Sequence, residues 1–253
     1  MIGDRMKSLV KAILPGDMQI QVWYRLNRMI RRPRLWQLKP VSTDWGYDRG
    51  HPIDRYYIEH FLSAHTKDIH GHVLEFTDAS YTQRFGGDRV TKSDVMNVIE
   101  GMPHTTIVAD LTRADHLPSD QFDCIICTQT LQVIYDVRSA LRHLYRMLKP
   151  HGVLLVTWQG ISKIGRREGV DSWGEYWHAT GQAVQRLFQE FFPADSFTLK
   201  TYGNVLSAVA FLHGLSNEEL RPEELDYVDP SYEVLVTVRA VKPNLASLSK
   251  SAP

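Results

Sequence analysis

Four polar residues lie at or near the carboxyl ends of four successive predicted strands. They are Glu75, Asp94, Asp110 and Thr128. The carboxyl ends of parallel strands meet at one edge of a sheet, where such sheets bind their ligands. Asp94 follows Glu75 by nineteen residues, which suits a carboxylate that accepts hydrogen bonds from both hydroxyls of a ribose. Asp110 could accept from an adenine amino group, so these residues predict a nucleoside site.

A second chemical group follows the fifth predicted strand. Three titratable side chains in it could take a proton from a hydroxyl: Asp171, Glu175 and His178. A general base for this purpose works best with a pKa near neutrality, which histidine has natively. Three aromatic side chains of the same segment could form a stacking platform for a sugar or another flat face: Trp173, Tyr176 and Trp177. The alternative is that Trp173 and Trp177, four residues apart, fix the segment to the core.

The elements that must position these residues alternate between short strands and helices. Strands are predicted at 72–76, 89–94, 105–111, 122–129, 152–160, 196–203 and 232–241. Helices are predicted at 53–62, 136–150 and 183–192, the last with Thr180 as its N-cap. This pattern favours a doubly wound, Rossmann-like α/β fold, with a seven-stranded, mostly parallel sheet and helices on both faces.

The run 109–157 resembles class I S-adenosylmethionine (SAM)-dependent methyltransferases, in particular those of type 11. The resemblance depends on Leu117-Pro118, on Phe122-Asp123 and on the segment 148–152, LKPHG, before a hydrophobic strand. It extends over about 71–240, and 48–62 is similar to the first helix of methyltransferases encoded beside glycosyltransferases. The resemblance implies SAM as the cofactor and a small-molecule or glycan acceptor, with a nucleotide- or lipid-linked sugar among the candidates. It also implies glycosyltransferases of the same pathway as partners.

The loop after the first strand departs from this family, in which it is usually Glu-x-Gly-x-Gly-x-Gly. Aligned on Glu75, the chain has Thr77, Ala79 and Tyr81 at the glycine positions, where glycine allows a tight turn or a close approach to the ligand. Glu75 then either contacts the ligand or accepts hydrogen bonds from loop amides. The short segment from Glu75 to Val90 also leaves little room for the usual helix.

The resemblance therefore divides the cofactor site into two halves. Asp94, Asp110 and Leu111 keep the half that binds the nucleoside. In the half that binds the methionine tail, side chains such as Asp78 would replace backbone contacts, and Tyr81 adds bulk.

The acceptor side is predicted from the 171–178 segment and from Tyr47, Arg49 and Arg55 near the first helix. Methyl transfer to a hydroxyl would then depend mainly on proximity and in-line orientation, with a base that takes the proton. Two alternatives follow from the altered loop. One is a non-catalytic methyltransferase-like domain that acts as a scaffold in polysaccharide biosynthesis. The other is the same fold with a different nucleotide ligand and different chemistry.

Charge is unevenly distributed along the 253 residues, although the net charge is zero. Nucleic acid is therefore not an expected partner. Residues 1–40 hold nine Lys or Arg and two Asp or Glu, which predicts either contact of 5–34 with an anionic membrane surface or a solvated helix. We predict a basic helical extension at 1–44, a methyltransferase-like domain at 45–242 and a disordered tail at 243–253.

The cysteine and histidine spacing predicts no metal site. Cys124 and Cys127 are three apart in a predicted buried strand, where they point to opposite faces, so we interpret them as core thiols in a reducing cytoplasm. His51, His151 and His213 lack ligand spacing with one another. The sequence shows no signal peptide and no apolar run long enough for a membrane span, so the predicted location is the cytoplasm.

Overall fold

The computed structural model describes residues 20–26, 37–165 and 174–244. These residues form two compact units. One contains the described part of 1–56 with Gly203–Tyr232, and the other contains Tyr57–Tyr202 with the described part of 233–253. Residues 20–26 are helical, but most of the predicted basic extension, the tail after Asn244, and Asp171 and Trp173 lie outside the described residues.

The second unit is built on one sheet. Its strands are β1 (Gly71–Phe76), β2 (Val90–Asn97), β3 (Ile107–Val108), β4 (Phe122–Thr128), β5 (Leu148–Gln159), β6 (Phe197–Tyr202) and β7 (Leu235–Val241). The order is β3-β2-β1-β4-β5-β7-β6; the first five strands pair in parallel, whereas β7 is antiparallel to β5 and β6. The predicted seven-stranded, mostly parallel Rossmann-like sheet is confirmed. Strand order reverses between β1 and β4, which is where such sheets open a ligand crevice.

Three helices join or flank these strands close to where the sequence predicts them: α1 (Ile53–Ala64), which begins in the first unit and ends in the second, α2 (Val137–Met147) and α3 (Gly181–Gln189). The side chain of Asp136 caps α2 by accepting from Ser139 N at 3.1 Å. Thr180 caps α3, as predicted, by accepting from Ala183 N at 3.2 Å. Each cap satisfies an amide that a helix start would otherwise leave without a partner.

The core of the second unit contains both cysteines. Cys124 and Cys127 are free thiols on β4 with no exposed surface. Burial raises the pKa of the Cys127 thiol to about 12 and raises that of Cys124 well above its usual value. The thiolate is the reactive form, so both are inert core residues, and their interpretation as core thiols is confirmed.

The first unit contains two further helices, α4 (Val205–Leu212) and α5 (Pro222–Asp226), which sequence analysis missed. The run VLSAVAFL is apolar on nearly all sides, so it lacks the polar face by which an amphipathic helix is recognised. Asn204 caps α4 by accepting from Ser207 N at 3.0 Å. Among the helices that the structure describes, none is long and apolar enough to cross a membrane.

Candidate functional site

A cavity of about 450 Å³ lies in the second unit, at the carboxyl ends of β1, β2 and β3. Its volume falls in the usual range for small-molecule sites. The strand-end wall consists of Phe76, Thr77, Met96, Asn97, Val98, Ala109, Asp110, Leu111 and Thr112. The other lining residues, called the acceptor wall below, follow β4 or belong to the segment 174–178: Thr130, Val133, Ile134, Tyr135, Asp136, Gly174 and Tyr176. Asp110 and Leu111, predicted for the nucleoside, thus belong to the strand-end wall, and Tyr176, predicted for the acceptor, belongs to the acceptor wall.

Asp110 and Leu111 line this cavity just after β3, which is shorter than the predicted strand 105–111. Asp110 is exposed, and its Oδ1 accepts from the backbone N and from the hydroxyl of Thr112, both at 2.8 Å. This local turn orients the carboxylate at the start of the loop. The structure thus puts both residues on the cavity wall, where a nucleoside-binding role requires them.

Asp94 lies elsewhere, because β2 continues to Asn97. The prediction that the second strand ends at Asp94 is wrong: this residue pairs with Leu74 inside the sheet. Its carboxylate is 2.5 Å from His72 Nε2 and 3.0 Å from Lys92 Nζ. Burial acts to raise the pKa of Asp94, but the hydrogen bonds from His72 and Lys92 outweigh it and lower the pKa. Asp94 is therefore engaged in an ion pair and is not among the described residues that line the cavity.

Asn97 takes the strand-end position that was assigned to Asp94. It is 7% exposed and lines the cavity. Its Nδ2 donates to Thr105 Oγ1 at 2.7 Å and to Thr77 O at 3.3 Å, so it links the end of β2 to the loop after β1. Sequence analysis missed Asn97, although the apolar pair before it, Val95 and Met96, was a signal that the strand continued.

Glu75 stabilises the loop after β1 by accepting hydrogen bonds from it. Its buried carboxylate accepts from Tyr81 N at 3.1 Å, from Thr82 N at 2.7 Å and from Thr82 Oγ1 at 2.6 Å. Burial raises the pKa of Glu75 to about 7, and these hydrogen bonds act in the opposite direction. Of the two roles considered for Glu75, the structure favours the acceptor of loop amides over a ligand contact, since Glu75 is not among the described lining residues.

Thr77 stands at the first glycine position and keeps the conformation that a glycine would allow. Its φ of 74° lies in the left-handed region, which β-branched residues rarely adopt. Such a conformation costs on the order of 1–2 kcal/mol in a non-glycine residue. Thr77 N donates to Met96 O at 3.3 Å, and the residue lines the cavity. The turn of the glycine loop is thus preserved under strain.

The two other glycine positions are Ala79 and Tyr81. Ala79 lies in a short turn, and Tyr81 follows this turn at the start of a helical stretch. Asp78 Oδ1 accepts from Ser80 N at 2.8 Å, and Ala79 O accepts from Gln83 N at 3.0 Å. A π-helical turn, Thr82–Gly86, and a 3-10 turn, Gly87–Arg89, then lead directly into β2, as the predicted lack of room for a full helix requires.

Tyr81 is the bulkiest replacement in this loop. Its ring lies 6.0 Å from that of Phe85, and Tyr81 is not among the described residues that line the cavity. The bulk of Tyr81 therefore leaves the cavity open. Of the three residues at the glycine positions, Thr77 is the one in the described lining.

Thr128, at the end of β4, is half-buried. Its carbonyl oxygen accepts from the hydroxyl of Thr130 at 2.9 Å, and Thr130 lines the cavity.

The acceptor-side segment 174–178 lies over a 3-10 turn, Leu131–Val133. Tyr176 N and Trp177 N donate to Gln132 O at 2.8 and 3.2 Å, and Trp177 Nε1 donates to Ile134 O at 3.0 Å. Tyr176 lines the cavity, whereas Trp177 is not in its described lining. Tyr176 thus borders the cavity and Trp177 anchors the segment, while the stacking platform stays a prediction.

Glu175 and His178 form a pair beside this segment. Glu175 Oε1 is 3.6 Å from His178 Nε2, and the Glu175 carboxylate also accepts from Gly165 N. His178 Nε2 is 3.2 Å from Gln159 Nε2 at the end of β5. In the part of the chain that is described, neither residue lines the cavity, so the general-base role stays a prediction.

Tyr135 and Asp136 are cavity residues that sequence analysis missed. They directly precede α2, and both are exposed. The hydrogen bonds of Asp136 with the side chain and backbone of Ser139 lower its pKa. A signal existed in the sequence, because a residue that caps the helix after the fourth strand must lie at the carboxyl edge of the sheet.

Tyr47, Arg49 and Arg55 belong to the first unit. Arg49 has no exposed surface, and its guanidinium pairs with Glu219, with Nε donating to Oε2 at 2.8 Å. The expectation that Arg49 is accessible to a substrate is therefore wrong: a charge buried this deeply requires a fixed partner. Arg55 Nε donates to the hydroxyl of Tyr47 at 2.9 Å, and the acceptor contacts of these two residues stay a prediction.

No metal site emerges from the described residues, which contain no group of three or more His, Cys, Asp or Glu side chains arranged to hold a metal ion. The titratable side chains of the cavity lining are Asp110, Tyr135, Asp136 and Tyr176. Their chemistry, carboxylates and phenols, is suited to hydrogen bonding with amino and hydroxyl groups.

Solved structures share the fold of this chain. Phosphoethanolamine N-methyltransferase 2 of Haemonchus contortus, in complex with phosphomonomethylethanolamine and S-adenosylhomocysteine, is 12% identical with a TM-score of 0.50, over 94% of this chain and 60% of that one. A SAM-dependent methyltransferase from Mesorhizobium loti is 18% identical with a TM-score of 0.46, over 73% and 97%. One from Archaeoglobus fulgidus is 9% identical with a TM-score of 0.49, over 74% and 94%.

The sequence itself also matches a known family. No curated protein matches the chain, but residues 70–156 match the family model described as a methyltransferase domain. This range begins just before β1 and ends within β5, so it includes the strands whose ends form the cavity. This part of the chain is thus similar to a methyltransferase domain, and the matched range contains β1 to β4 and most of β5.

Proposed function

We propose that this protein is a SAM-dependent methyltransferase that acts on a hydroxyl of a small molecule or glycan. The observation that carries the proposal is the 450 Å³ cavity at the strand ends, with Asp110 and Leu111 on one wall and Tyr135 and Tyr176 on the other. One wall has the chemistry of a nucleoside site, and the other has exposed groups suited to an acceptor.

The residues present fit SAM. The Asp110 carboxylate suits the adenine amino group, and Leu111 offers apolar surface to the base. Thr77 and Asn97 border the cavity where the loop after β1 begins, and Thr77 keeps the glycine-like turn. Tyr81 is not among the described residues that line the cavity, so its side chain does not fill this space. When bound, SAM supplies an electrophilic methyl group carried on a sulfonium.

The chain contributes mainly position to the reaction. The two cavity walls hold donor and acceptor groups together, and such positioning can supply several kcal/mol of the barrier reduction. His178 Nε2 is the proposed proton acceptor. The Glu175 carboxylate, 3.6 Å from it, would stabilise the imidazolium that forms. His178 would need the 174–178 segment to shift, since it does not line the cavity in the described structure.

Isothermal titration of the full chain with SAM and S-adenosylhomocysteine tests the cofactor assignment. We expect both to bind and Asp110→Asn to weaken them about tenfold, because the neutral amide loses one acceptor oxygen and the charge that strengthens the hydrogen bond to the adenine amino group. Asp195→Asn is the matched control, since Asp195 is exposed and outside the described cavity lining. No heat from either ligand at millimolar concentration would overturn the proposal.

The strained loop favours a second candidate: the same fold with another nucleotide ligand or with a scaffolding role in polysaccharide biosynthesis. A threonine side chain replaces the hydrogen of glycine at the cavity edge. Thermal-shift measurements with adenosine, ATP and SAM separate the candidates. Stabilisation by adenosine or ATP without stabilisation by SAM would favour the second one, and no stabilisation by any of them would favour the scaffold.

We further propose that the protein acts in the cytoplasm beside glycosyltransferases, with residues 5–34 in contact with an anionic membrane surface. These residues carry eight Lys or Arg and one Asp. Basic segments of this kind gain on the order of 1 kcal/mol per charge near an anionic membrane, and salt screens the attraction. Sedimentation with phosphatidylserine-containing vesicles should be strong at low salt and weak at high salt. Equal sedimentation with neutral vesicles would contradict the proposal.

A further inference from the structure

Three exposed aromatic rings meet beside the cavity, and two of them, Tyr135 and Tyr176, line it. The Tyr135 ring stacks on Trp177, with centroids 5.8 Å apart and an interplanar angle of 23°, and meets Tyr176 edge-on at 5.4 Å. Tyr135 is 70% exposed, Tyr176 is 53% exposed and Trp177 is 39% exposed. Large aromatic side chains grouped on a surface in this way are unusual unless they bind something.

Hydrogen bonds fix the segment that carries two residues of the aromatic cluster, which consists of Tyr135, Tyr176 and Trp177. Gln132 O accepts from the amides of Tyr176 and Trp177, and Ile134 O accepts from the indole Nε1 of Trp177. These bonds join the cluster to the turn before α2. The indole of Trp177 is therefore fixed, and Tyr135 packs on it, which reduces the side-chain entropy that a ligand binding to Tyr135 would cost.

Asp136 adds a carboxylate beside the rings, on the same cavity wall as Tyr135 and Tyr176. Its hydrogen bonds with Ser139 lower its pKa, so it is ionised at neutral pH and acts only as an acceptor. A flat apolar face beside a hydrogen-bond acceptor and phenol hydroxyls suits a ring with C–H groups on one face and hydroxyls at its edge. The negative charge disfavours a phosphate at this point.

We propose that the aromatic cluster and Asp136 bind an uncharged sugar ring of the acceptor. The sugar ring stacks on Tyr135 and contacts Tyr176, whose ring is inclined at 68° to that of Tyr135, and the sugar hydroxyls donate to the Asp136 carboxylate. This inference rests on the proposed function, because it assigns the acceptor class of the same cavity. Any phosphate of a larger acceptor would then lie away from the cluster.

Saturation-transfer NMR on the full chain tests the inference with methyl glycosides of hexopyranoses, 6-deoxyhexopyranoses and N-acetylhexosamines. We expect transfer to the ring protons of at least one glycoside, and a loss of most of that signal in Tyr135→Ala. Tyr227→Ala is the matched control, since Tyr227 is 65% exposed and outside the described cavity lining. Asp136→Asn keeps a good helix cap and should weaken binding several-fold.

Choline is the competing probe, because aromatic rings beside a carboxylate also attract a cation. Saturation of choline in place of every glycoside, or no transfer to any glycoside, overturns the inference, as does equal signal in Tyr135→Ala. SAM titration keeps the two proposals distinguishable. SAM binding without glycoside binding removes the sugar site alone, whereas glycoside binding without SAM binding supports the sugar site and removes the methyltransferase.

Discussion

The loop after β3 and the loop after β1 are built differently, although residues of both line the same cavity. After β3, Asp110 accepts from Thr112 two residues on, and the carboxylate stays exposed at the cavity wall. After β1, Thr77 adopts a left-handed conformation, and the loop amides that follow bond to the buried Glu75. The loop after β3 has the acidic residue that the resembled family has there, whereas the loop after β1 has no glycine at the three usual positions and is stabilised by side-chain hydrogen bonds.

This difference shows how a loop can keep a turn after losing the residues that favour it. The turn needs one residue at positive φ and partners for its amide groups. Thr77 meets the first requirement at a cost in strain, and Glu75 and Asp78 meet the second with their carboxylates. Stability in this loop should therefore depend on carboxylates, and each carboxylate should matter according to its burial.

The largest effect expected is that of Glu75→Ala. The substitution leaves three donors, on Tyr81 and Thr82, without their buried acceptor, and we expect a loss of about 3 kcal/mol in the free energy of unfolding. Urea unfolding at pH 6 measures it. Asp78→Ala is the matched control, since Asp78 is exposed and accepts from Ser80 N alone among the described contacts; it should cost under about 1 kcal/mol. Equal losses of unfolding free energy in the two variants would contradict the idea that a carboxylate in this loop matters according to its burial.

The pH dependence of stability sharpens the same contrast. Glu75 has a pKa of about 7 in the folded protein, above its ordinary value of 4.5. Its contribution is fully present below pH 4.5 and is lost as pH rises to about 7, because the unfolded chain ionises first. The loss amounts to about 3 kcal/mol at most.

Glu75→Gln removes this titration, so the difference in unfolding free energy between wild type and variant should change by that amount between pH 4.5 and 7.5. Other groups, such as Asp94, titrate equally in both proteins and cancel in the difference. A difference that stays constant over this range would show that Glu75 keeps an ordinary pKa.

Thr77→Gly should have the smallest effect, and of opposite sign. Glycine adopts φ of 74° without strain, so we expect a gain of about 1 kcal/mol in stability after the added entropy of the unfolded chain is subtracted. The control is Ala79→Gly, at a position where φ is not positive, which should lose roughly 0.5–1 kcal/mol. Thermal unfolding of both variants decides it. A loss in Thr77→Gly would mean that the side chain of Thr77 stabilises the loop.

Much of the fold was predictable because its signals are local. The strand–helix alternation, the Thr180 cap of α3 and the buried β4 all depend on residues close in sequence, and the structure agrees with them. Helix α4 was missed because it is apolar on nearly all sides. The end of β2 was misjudged because Lys92, Ser93 and Asp94 are polar, as residues at a strand end usually are.

The candidate site was predictable only in part. Asp110, Leu111, Thr77 and Tyr176 were expected at the cavity and line it. Asp94 and Glu75 were expected there too, but His72 and the loop amides engage their carboxylates. Sequence patterns place a residue on an element, but they do not reveal which distant group its side chain will meet.

The sequence by itself determined the order of strands and helices, the family resemblance and the altered loop after β1, since each is written in residue types at fixed spacing. Only the tertiary structure decided that Tyr81 leaves the cavity open, that Arg49 is buried against Glu219, and that Tyr135 joins Tyr176 and Trp177. These outcomes depend on contacts between segments far apart in sequence. Packing and charge neutralisation select such contacts once the chain has folded.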